Sequence, residues 1–60
     1  MIKQDVIILM EQLRQKGLSQ AEIAVALGKN TQTIWSWGSK TQPNRMPDKA
    51  NFEKLQELLG

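Results

Sequence analysis

Neither cysteine nor histidine occurs in this sixty-residue chain. Without thiols there are no disulfide staples and no thiolate metal sites. Without imidazole, the commonest general base and the commonest metal ligand are both missing. No apolar run exceeds five residues, the length of Val6 to Met10. A membrane span needs about 20, and a signal peptide needs a longer apolar core with a small-residue cleavage site. No internal repeat, low-complexity tract or linker breaks the chain, and no stretch alternates with period two, so a sheet is not expected. Glu53 and Glu57 lie one turn apart, but two carboxylates without a histidine read as a solvated helix face. The expectation is a cytoplasmic, non-enzymatic domain with no membrane segment, no metal and no cofactor.

What is present is ordinary for a globular protein: 40% hydrophobic and 23% charged residues, too apolar for a disordered chain. Sixty residues make one domain, 1–60, which buries only ~60% of the surface its unfolded chain exposes. The net charge is +2, unevenly spread. Residues 1–22 sum to zero and residues 48–60 to −1, whereas residues 23–47 carry Lys29, Lys40 and Arg45 and no acid, a net +3. A middle segment without carboxylates suits contact with a polyanion.

The periodicity predicts an all-α fold, a compact bundle of four short helices. The first runs from Lys3 to Lys16, with Ile2, Val6, Leu9, Met10 and Leu13 on one stripe, and Gly17 stops it. Ile8 falls on the opposite side, either a lone exposed residue or part of a partner surface. Ser19 and Glu22 have the spacing of a capping box, flanked by Leu18 and Ile23 as a hydrophobic staple. The second helix therefore starts at Gln20; Ile23, Ala24 and Leu27 form its inner face and Gly28 ends it. Asn30 is the N-cap of a third helix. Ile34 and Trp37 of that helix point inward, and Thr31, Gln32, Trp35 and Ser36 point outward. Gly38 ends the pattern. Residues 39–47, with two prolines, form an irregular loop. Asp48 caps a last helix to Leu59, whose stripe is Phe52, Leu55, Leu58 and Leu59.

Two short helices joined by a tight glycine turn predict a helix-turn-helix. The run Leu18-Ser19-Gln20-Ala21-Glu22-Ile23-Ala24, then Leu27-Gly28, Thr33-Ile34 and Trp37, resembles the helix-turn-helix of the Cro and phage-repressor family. Met46-Pro47 and Asn51-Phe52 through Leu59-Gly60 resemble its fourth helix. The chain differs from that pattern at Lys29, Trp35 and Gly38, and the sequence ends where many members begin a fifth helix.

The resemblance implies a small Cro-like repressor of phage or prophage type, a transcription regulator whose second motif helix lies in the DNA major groove. It implies base-reading positions at Asn30, Thr31, Gln32, Trp35 and Ser36. The chemistry agrees, since a glutamine amide such as Gln32 can pair with N6 and N7 of adenine. It implies phosphate contacts at Gln20, where a helix N-terminus suits an anion, and at the cations Lys29, Lys40 and Arg45. Trp35 has two readings: it stacks on sugar or a thymine methyl, or it folds over the loop as a lid on the core.

The expected partner is double-stranded DNA with a palindromic operator, bound by a weak homodimer formed or stabilised on the DNA. Candidate dimer contacts are the last helix near Leu58, the loop around Met46, and Ile8. The competing reading is a protein-binding module of the same fold, of antirepressor or antitoxin type.

Overall fold

In the first helix, α1 (Lys3–Lys16), Val6, Leu9, Met10 and Leu13 recur at helical spacing, and all four are buried. Gly17 ends it at φ 106°, a left-handed conformation that costs a glycine no Cβ strain. Ile2 leaves the expected stripe. It is the N-cap, its backbone is extended, and its side chain is 62% exposed. An extended residue ahead of the first helical turn does not follow the helical wheel, so its side chain is not carried onto the buried face. Isoleucine offers no capping acceptor, and the Asp5 carboxylate serves the terminus instead, accepting from the Ile2 N–H at 3.3 Å.

Helix α2 (Gln20–Leu27) opens with the expected capping box. Ser19 Oγ accepts from the Glu22 N–H at 3.1 Å, and a Glu22 carboxylate oxygen accepts from the Ser19 N–H at 3.0 Å. These bonds, the backbone one foremost, hold the Glu22 carboxyl below its usual range, against a smaller opposing effect of desolvation. Leu18 is half-buried against the core beside buried Ile23. Gly28, at φ 69°, turns the chain into α3 (Thr31–Gly38). Asn30 caps α3 by accepting from the Thr33 N–H at 2.8 Å. Helix α4 (Lys49–Leu59) starts at Asp48, which accepts from the Asn51 N–H at 2.9 Å.

The computed structural model describes residues 2–60. Among them the fold is all-α, a near-isotropic bundle of four helices measuring 23 × 21 × 21 Å. Helices α1 and α2 each pack on both α3 and α4. Each helix sends at least one wholly buried residue to the centre: Val6 and Leu13, Ile23, Ile34, and Leu55. No described helix is long and apolar enough to cross a membrane.

Two lysines of α1 complete the other helices. Neither α3 nor α4 has a basic residue in its last turn, where unpaired carbonyls concentrate negative potential. Lys16 Nζ donates to the carbonyls of Leu58 and Leu59 at 2.6 and 3.0 Å, closing α4. Lys3 Nζ donates to those of Ser36 and Trp37 at 2.9 and 2.6 Å, closing α3.

Candidate nucleic-acid interface

The α3 sequence divides its side chains between two jobs. Ile34 and Trp37 are buried, and Trp37 is only 6% exposed. The opposite face is left to the polar residues and Trp35. Along it runs an open groove of about 520 Å³, lined by Asn30, Gln32, Thr33, Trp35 and Ser36 of α3 and its cap, and by Gln42 and Arg45 of the following loop. Among the described residues no carboxylate lines it.

The groove residues differ in what they can still offer. Gln32 is exposed and its side chain makes no hydrogen bond among the described residues, so its amide keeps both its donor and its acceptor. Asn30 is half committed: its Oδ1 accepts from the Thr33 N–H and hydroxyl at 2.8 and 3.0 Å, which leaves only its NH₂ donors. Ser36 spends its proton on the Thr33 carbonyl at 2.8 Å and keeps only lone pairs. Trp35 is 49% exposed and lines the groove, so it is not a lid sealed over the core. Arg45 is exposed, and its guanidinium has no carboxylate partner; among the described residues the ion pair is that of Arg14 with Glu11.

Five of the nine expected site residues thus converge: Asn30, Gln32, Trp35, Ser36 and Arg45. Thr31 is exposed at the start of α3 just outside the groove. Lys29 is exposed in the turn and Lys40 in the loop, and neither lines the groove. Gln20 is exposed at the start of α2 and borders a separate cleft of about 120 Å³ with Arg14 and Ser19. The sequence reading missed Thr33 and Gln42 as groove residues. It also missed Lys3, which lies 42 residues before Arg45 yet donates to the Arg45 carbonyl at 2.7 Å. Partial burial of this ammonium pushes it below the ordinary lysine range.

Among the described residues no group of three acidic side chains is placed to hold a metal ion. No protein-family model, curated protein or solved structure matches the chain.

Proposed function

We propose that this protein is a sequence-specific double-stranded DNA-binding regulator of Cro-like repressor type, acting in the cytoplasm, with α2, its turn and α3 serving as a helix-turn-helix. One observation carries the reading: α3 buries Ile34 and Trp37 and leaves on its other side a carboxylate-free groove of amide, hydroxyl, indole and guanidinium groups. Such a surface suits base edges flanked by phosphates.

Within that reading the remaining hydrogen-bonding capacity assigns roles. Gln32, with both functions open, pairs with adenine through N6 and N7. Asn30 can only donate, which directs it to acceptors such as guanine O6 or N7. Ser36 can only accept. Thr31 contacts a base edge or a thymine methyl from the start of α3. Trp35 lays its exposed ring on a thymine methyl or a sugar. Arg45, Lys40, Lys29 and Gln20 hold phosphates and set the register.

One reading helix spans only a few base pairs, so the protein acts as a two-fold dimer that assembles on DNA. An open groove of about 510 Å³ between α1 and α4, bordered by Ile8, Phe52 and Leu59, supports this by joining Ile8 and the last helix in one surface. A binding selection on random duplex DNA tests the proposal. The expected product is a palindrome with half-site centres roughly 10–10.5 base pairs apart, or a multiple. Affinity for it should fall steeply with salt. Absence of any enriched sequence, together with salt-insensitive binding, would refute the reading.

A further inference from the structure

The loop that supplies Arg45 to the groove is anchored at its end by buried Pro47, but hydrogen bonds tie it only weakly to the rest of the fold. Its hydrogen bonds are local: Gln42 N–H to Ser39 O, Arg45 N–H to Gln42 O, Thr41 N–H to Ser39 Oγ, and the Ser39 and Thr41 hydroxyls to each other. Among the described residues, the one hydrogen bond that joins residues 40–47 to another helix is that from Lys3 Nζ to the Arg45 carbonyl. The same ammonium holds Ser36 O and Trp37 O at the end of α3. An ammonium has three donors, and all three are used here. Lys3 therefore joins the two walls of the groove, α3 and the loop, without lining the groove itself.

We infer that Lys3 is the positioning residue of this interface: it holds the Arg45 segment against the end of α3 and so sets where the guanidinium stands relative to Gln32 and Trp35. It touches no DNA itself. The inference rests on the reading of the groove as the DNA face, but its structural half can be measured without DNA. The geometry favours lysine over arginine here. A compact ammonium can meet three carbonyls from two segments at one point, whereas a planar fork is built for bidentate partners.

The test uses the whole chain with Lys3→Met, which keeps the apolar stem and deletes the donors. Without DNA, backbone order parameters of residues 40–46 should fall from the rigid value of about 0.85 to below about 0.6, while those of α1 and of residues 31–35 in α3, ahead of the carbonyls that Lys3 holds, stay unchanged. On the selected duplex, Lys3→Met and Arg45→Ala should each lower affinity about tenfold, and the double variant should also lose about tenfold rather than a hundredfold. In the Arg45→Ala background, Lys3→Met should leave the salt slope unaltered, because no phosphate contact of its own is lost. Should the methionine variant fail to fold, Lys3→Arg keeps a cation at the α3 terminus and should still loosen the loop. A loop that is mobile in the wild type, or equally rigid in the variants, overturns the inference, as does a fully additive double variant. Failure of the wild type to bind duplex DNA would sink the proposed function alone, since the loop measurement would still judge the clamp.

Discussion

Replacing Trp35 by alanine should leave the domain folded and cost it most of its DNA affinity, whereas Trp37→Ala should strip the fold of about half of its stability or more. The two residues are neighbours on one helix, but Trp37 is 6% exposed and Trp35 49%. Truncating a buried tryptophan costs about 3–5 kcal/mol. At roughly 0.05–0.15 kcal/mol per residue, a domain of this size has about 3–9 kcal/mol in all, so Trp37→Ala removes about half of it or more. An indole has about 150–250 Å² to bury. At 49% exposure roughly half of that is open to a partner, and covering it is worth about 2–3 kcal/mol at ~25 cal/mol per Å². That is roughly a 30- to 150-fold change in Kd. The half that Trp35 does bury in the fold contributes less than its area indicates. The unfolded chain already shields part of it, and alanine is the better helix former, so the folding cost should be about 1–2 kcal/mol. Circular dichroism melts and anisotropy titrations on the selected duplex measure both effects. A Trp35→Ala protein that binds like the wild type, or that melts as early as Trp37→Ala, would refute the division of α3 into a core face and a reading face.

Three further outcomes are expected. Gln32→Ala should relax base preference at one position of each half-site and cost about 1–3 kcal/mol on the preferred sequence, whereas Lys40→Ala should weaken all duplexes alike and flatten the salt slope by about one unit; identical behaviour in competition titrations would undo the distinction. Ala24→Leu should cost about 1–3 kcal/mol or more by overpacking a buried position on α2, and an unchanged denaturation midpoint would show that there is room for the larger side chain. The Glu22 carboxyl has a lower pKa folded than unfolded, so its contribution is fully present above its ordinary value near 4.5 and is lost as pH falls through the lowered folded value. Acid unfolding should lose that segment of pH dependence in Glu22→Gln, and parallel wild-type and variant curves below pH 4.5 would contradict it.

Much of this fold was legible because its determinants are local. The Ser19–Glu22 box, the Asn30 and Asp48 caps and the left-handed glycines at 17 and 28 act within one turn of themselves, so spacing along the chain is enough to place them. The inward positions Ile34, Trp37, Leu13 and Leu55 follow from the 3.6-residue period, which needs no knowledge of the partner helix. The period fails at Ile2 because it describes only residues already inside the helix.

The outer face of α3 was equally readable, and with it the candidate residues Asn30, Gln32, Trp35 and Ser36. What the tertiary structure alone decided is how that face is completed. Whether Trp35 covers the core or stands open depended on how α3 is seated against α1 and α2. That Gln42 and Arg45 join the groove while Lys29 and Lys40 stay outside it depended on the path of an irregular loop, which has no period to read. The same holds for Lys3, which in sequence is one more cation at the start of a helix. Its three carbonyl partners lie 33 to 42 residues away. A hydrogen bond of a few ångströms at that separation is set by the packing of α1 on α3, and no local pattern encodes it.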